Sequence, residues 1–166
     1  KGLDFENYLK TSYENLPFDG NYCFVKKEKE NVIISVDHVR SYPLFYSIDN
    51  NKLLVSDSAI WIYNQSSNNE YDDLANNELW LSGYVLGEKT LYSNIKQVLP
   101  GELIKFSYKN EKINVFKERF FSYTVIKEKE KPLSDLISQH QSLISKAIKK
   151  LIDRANGRTL ILPLSG

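Results

Sequence analysis

From residue 20 to about residue 58, and again from 101 to 118, apolar and polar positions alternate with a period of two. Past residue 132 the period lengthens to three and four. The first pattern predicts strands in hairpins. "NYCFV" and "NVIISVD" form an antiparallel pair across the exposed charged link "KKEKEN". "YPLFYSI" and "KLLVSDS" form a second, joined at "DNN", whose short polar side chains tolerate left-handed backbone. "GELIKFSY" and "KINVFKE", on either side of "KNE", form a third. Between the last two hairpins, Leu74, Leu79, Trp80, Leu81 and Tyr84 line one side of a helix that ends at Gly83 or Gly87. Ahead of them all, Leu3, Phe5, Tyr8, Leu9, Tyr13 and Leu16 give residues 1–16 a helical stripe, broken at "PFDG". Six strands linked by hairpins predict an α+β domain of layered antiparallel sheets with helices rather than a doubly wound nucleotide-binding sheet.

The polar run "TVIKEKEK" at 124–131 reads as a linker, dividing the chain into residues 1–123 and 132–166. Beyond it, Leu133, Leu136, Ile137, Leu143, Ile144, Ala147, Ile148, Leu151 and Ile152 mark an amphipathic helix. Pro132 and Asp135 favour its start, Lys149, Lys150 and Arg154 its end, and Gly157 its stop. "RTLILPLSG" then fits a central parallel strand, buried on both faces, so the second part reads as the first helix and strand of an α/β domain.

Charge and composition narrow the classes. The 22 basic and 21 acidic residues nearly cancel, which argues against nucleic acid or an anionic membrane as partner. One cysteine allows no internal disulfide, and "KGLDFENYLK" has no apolar signal core, so a cytoplasmic location is the default expectation. The chain holds no Met, and the expectation is that Lys1 is not the native start.

Candidate chemistry is sparse. Cys23 sits within a strand, without an adjacent base or a helix N-terminus to activate it, and reads as a small core residue. Asp37 and His38 adjoin, but in a strand they would face opposite ways; Asp37 reads as an acceptor for loop N–H groups near the Arg40-Ser41 turn. Ser56 or Asp57 reads as the cap of the helix entered at "AIWIY". His140 reads as a boundary residue on the long helix, and two histidines with one cysteine make no metal case. Ser165-Gly166 ends the apolar run either as a plain strand-ending turn or as a glycine turn whose N–H groups and hydroxyl meet a phosphate. No catalytic residue is assigned.

The order "FDGNYCFV", "SVDHVRSYPLFYS", "LLVSDSAIWI", "GEKTLYSNIKQVLPGELIKF" and "LILPLSG" resembles the asparagine synthase family from about Pro17 to Gly166. Gly20, Tyr22 and Phe24 match its glycine-aromatic strand. Asp37, Pro43, Leu44 and Tyr46 match its aspartate and proline-leucine-tyrosine hairpin, and Ser56 and Asp57 match its serine-acid step. Thr90, Leu91, Ile95, Pro100 and Gly101 match the approach to the last hairpin. The resemblance implies part of a glutamine amidotransferase domain of the N-terminal-nucleophile hydrolase kind, running into an ATP-pyrophosphatase domain. In that family a mature N-terminal cysteine attacks glutamine, and the ammonia displaces AMP from an adenylated carboxylate.

Carried over, this implies a glutamine-using amide synthase with ATP and Mg2+, aspartate as the default acceptor carboxylate, and a homodimer as an open option. Leu164, Ser165 and Gly166 match the opening of the family's pyrophosphate loop. Cys23 is not the nucleophile, and the glutamine-binding segments fall upstream of "FDG", so the expectation is a fragment that does not turn over alone. His38 and Arg40 stand where the family often has arginine and glycine, and Tyr42 where it often has lysine, which leaves the acceptor open. The alternative is a non-catalytic glutaminase-like scaffold serving an ammonia-dependent synthetase or a sugar amidotransferase.

Overall fold

A computed structural model of the chain describes residues 20–125 and 131–161; the helix expected over residues 1–16 lies outside them. Contacts divide the chain into two compact units, residues 1–123 and 124–166.

The described residues of the first unit form two antiparallel sheets. Strands β1 (Cys23–Glu28), β2 (Asn31–Val36), β6 (Glu102–Lys109) and β7 (Lys112–Arg119) form one, in the order β1-β2-β6-β7. Strands β3 (Phe45–Asp49), β4 (Lys52–Ser56) and β5 (Lys96–Gln97) form the other, with β3 in the middle. All three expected hairpins are present. The first differs from expectation in its reach: Lys26, Lys27 and Glu28 are paired strand residues, and only Lys29-Glu30 turns. Alternate charged side chains can stand on a strand's solvent face, so the charge run was no sign of a loop. The other two turns, Asn50-Asn51 and Asn110-Glu111, have positive φ at both residues, between 48° and 61°. This left-handed pair matches the twist of the flanking strands, and asparagine adopts it at low cost.

Alternation along the strands builds the core. Ile34 and Val36 of β2, Ile104 and Phe106 of β6 and Tyr46 of β3 pack with Leu44 and Val98 into one buried cluster drawn from both sheets. Ile34 pairs with Ile104 across the ladder, and the Tyr46 and Phe106 rings meet edge to face at 5.3 Å. Burying each large side chain contributes about 1.5–3 kcal/mol, whereas a partly exposed pair such as Lys26–Glu28 contributes about 0.2–1 kcal/mol. The register is therefore set by the apolar face. Ile33 and Ser35, which alternate with Ile34 and Val36, are also fully buried, so β2 is covered on both faces.

Helix α1 (Ala59–Gln65) follows β4 and places Ile62 against Leu54 and Ile95 in a second cluster. Its cap is Ser58, whose Oγ accepts the Trp61 N–H at 3.2 Å, and not Ser56 or Asp57 as expected. Ser56 instead accepts the Ser58 N–H at 3.1 Å, because β4 runs on through Ser56 and pushes the helix start downstream. Helix α2 (Asp73–Ser82) is capped by Asp72, which accepts the Ala75 N–H, and ends on Gly83 at φ 80°. The apolar residues expected to line one side of it are not its buried ones: Leu74, Trp80 and Leu81 are exposed, and Ala75 is its buried residue. Strand β5 is two residues long, too short to carry an alternation signal, and went unread.

The second unit contains helix α3 (Leu133–Ala155), whose apolar stripe follows the expected three-four spacing. Pro132 occupies its cap position, and it closes through Asn156 at φ 46° followed by Gly157 at φ 80°. Arg158–Ile161 form no strand, and Leu160 and Ile161 are exposed. A strand buried on both faces needs neighbours to pair with, and the described part of this unit supplies none. The rest of the expected strand lies outside the described residues. Among those residues no helix is long and apolar enough to cross a membrane.

Candidate functional site

The chain leaves β2 through a tight loop at residues 37–41, and Asp37 organises it. Its carboxylate accepts the N–H groups of Tyr22 at 3.0 Å, Val39 at 2.9 Å and Ser41 at 3.1 Å, together with the Ser41 hydroxyl at 3.2 Å. Burial alone would raise its pKa, but the donors from Val39, Tyr22 and Ser41 outweigh it and hold the carboxyl below the ordinary value. Asp37 thus fills the structural role expected from sequence, joining the loop to the segment ahead of β1. His38 points away, against the Phe121 ring at 4.4 Å and the Phe120 ring at 5.8 Å.

A second chain segment closes on this loop. The Asp37 carbonyl accepts the Gly101 N–H at 3.0 Å, and the Gly101 carbonyl accepts the Phe120 N–H at 2.9 Å. Gly101 has φ 64°, and a Cβ there would lie 2.6 Å from the Phe121 carbonyl oxygen. Both facts demand glycine. The buried Glu102 fixes the same turn by accepting the Leu99 N–H at 2.8 Å. The residues expected from sequence as pieces of separate hairpins, Asp37 and Gly101, are therefore brought together. Sequence reasoning missed the Gly101–Phe121 approach, because a Pro-Gly pair announces a turn but not what crosses over it.

Cys23 lies in β1 opposite Val36 and packs, half-buried, against the core. Burial first, then the carboxylates of Asp57 and Asp37, raise its thiol pKa. A nucleophilic thiol needs the opposite environment, with cations or N–H donors that favour thiolate. His140 is exposed on α3. Among the described residues no three or more His, Cys, Asp or Glu gather to hold a metal. Leu164, Ser165 and Gly166 lie outside the described residues.

The ordered hairpins around Asp37 and Gly101 fall within residues 10–120, the stretch that matches the family model described as a glutamine amidotransferase domain. That stretch is well over half of the chain. The chain belongs to the glutamine amidotransferase domain family. Membership makes it part of an enzyme family whose substrate is glutamine. Neither a curated protein nor a solved structure matches it. Within this glutamine amidotransferase domain the described residues supply the sheets and the Asp37–Gly101 crossing, and the one thiol in them is a packing group.

Proposed function

We propose that the chain serves a glutamine-dependent amide synthase of the asparagine synthase kind, with ammonia drawn from glutamine and delivered to a carboxylate acceptor. The observation that supports this reading is the ordered family match over residues 10–120, coinciding with the hairpins in which the residues of the resemblance lie. In this reading ATP, with Mg2+, activates the acceptor carboxylate as an acyl-adenylate. Leu164, Ser165 and Gly166 would meet its pyrophosphate: a serine hydroxyl and glycine N–H groups free of a Cβ are donors of the right kind. The chain's described residues contribute the framework. Asp37 and Gly101 lock the crossing, and Cys23 fills space without taking part in bond cleavage.

The test is pyrophosphate release by the full-length gene product, supplied with ATP, a panel of carboxylic acids and either glutamine or ammonium as nitrogen source. The expected result is release that requires an acid and is supported by glutamine. If no acid elicits ATP consumption, the proposal fails. The second reading is a glutaminase-like scaffold beside an ammonia-fed synthetase. Turnover with ammonium but not with glutamine would select it.

A further inference from the structure

Among the described residues Arg40 has no counter-charge. It turns the loop after β2 at φ 56°, a conformation that costs a non-glycine residue energy, and its side chain reaches the wall of a cavity of about 490 Å³. One face of the guanidinium rests on the Phe45 ring, 5.3 Å from its centre. Its Nε is buried with no acceptor among the described residues, and no carboxylate among them forms an ion pair with it. The nearest acid in sequence, Asp37, binds Tyr22, Val39 and Ser41 instead. Burial draws the Arg40 pKa down, as expected for a cation removed from water and left uncompensated.

The rest of the lining narrows what could compensate it. Val39, Val85, Leu99 and Pro100 supply apolar wall. Two polar neighbours are already engaged. Thr90 Oγ1 donates to the Ile95 carbonyl at 2.8 Å and accepts the Tyr92 N–H at 3.1 Å, while Gln97 Nε2 donates to the Gly87 and Lys89 carbonyls. No acidic residue among the described ones lines the space, so Arg40 is the one charged residue of the lining, with its Nε donor unpaired. A planar guanidinium matches a carboxylate through two parallel hydrogen bonds. A phosphate dianion would bring two charges against one, with the Tyr84 hydroxyl as the remaining polar group of the lining.

We propose that this cavity binds a small monocarboxylate, its carboxylate on Arg40 and its short apolar body against Val39, Val85 and Leu99. Such a ligand would tie the 37–41 loop to the segment at 84–90 and to the exit of β5. The site does not depend on the amide synthase reading, and its test uses neither glutamine nor ATP.

The experiment follows the Nε–Hε signal of Arg40 by NMR as butyrate, acetate or inorganic phosphate is added to the chain at constant ionic strength. Butyrate is expected to shift the signal saturably, with a Kd of about 1 mM (−4.1 kcal/mol), and acetate to bind more weakly for want of an apolar body. Butyrate should also raise the melting temperature, and Arg40→Gln should abolish that rise. Arg40→Lys, which keeps the charge without the fork, should weaken binding about tenfold. Phosphate binding as tight as butyrate, a butyrate response that survives Arg40→Gln, or no saturable shift in the unmodified chain would each overturn the proposal. Should Arg40→Gln fail to fold, the signal in the unmodified chain still decides.

Discussion

The main-chain carbonyl of Asp37 and the amide of Gly101, 64 residues apart in sequence, are joined by a 3.0 Å hydrogen bond. Asp37 follows β2 and Gly101 precedes β6, the two central strands of the larger sheet, so this bond ties the exit of one strand to the entrance of the other.

Gly101→Ala is expected to be among the most destabilising alanine substitutions in the sheet-rich unit. The left-handed φ alone costs about 1–2 kcal/mol, and the contact with the Phe121 carbonyl adds to it. Gly83→Ala is the control, since Gly83 has φ 80° but nothing within 4 Å of an added Cβ. Urea unfolding of both variants measures the difference; equal losses would mean the Phe121 approach is not a constraint.

Asp37→Asn should cost about 1.5–3 kcal/mol, because a neutral amide replaces a carboxylate that accepts from four donors. The folded-state pKa lies below the ordinary value of about 3.9, so the stabilisation is complete above the unfolded-state value and fades as pH falls through the lower one. Melting curves between neutral and acid pH should therefore show less acid sensitivity in the variant. An unchanged acid limb would assign that sensitivity to other carboxyls.

Cys23 should react slowly. Burial and the neighbouring Asp57 and Asp37 raise its pKa, which lowers the thiolate fraction near neutral pH. Alkylation by iodoacetamide is expected to be about tenfold slower in the folded chain than in urea. Cys23→Ala should leave glutamine hydrolysis by the full-length gene product intact; its loss would make the thiol catalytic after all.

Glu88 accepts from both Lys96 and Lys117, and its main-chain carbonyl takes the Gln97 N–H at 2.8 Å. Burial would raise its pKa, but the two lysines hold it below the ordinary carboxylate value. Glu88→Gln should cost about 0.5–1 kcal/mol at low salt and less at high salt, as screening replaces the lost charge. A loss independent of salt would point to packing instead.

The three hairpins were legible because short apolar runs recur along their strands and their turns hold residues that accept left-handed backbone, as Asn50 and Asn51 do. The role of Asp37 was legible too, since a short acid ahead of a turn has few other uses. Trp80 and Leu81 misled, because apolar identity does not reveal which side of a helix is covered. Arg40 and Gly101 could not be read: one matters for the partner it lacks, the other for a backbone arriving from residue 121. Both are properties of distant segments meeting, which no local window contains.

At the far ends of the two sheets, the Asn51 side chain of the β3–β4 turn donates to the Glu111 carbonyl of the β6–β7 turn. The layers are thus clasped at their tips as well as glued through their shared interior. Sliding one over the other would have to open that clasp and tear the common interior together. Amide exchange in β3 and in β6 should accordingly slow and quicken in step, as for a single folding unit.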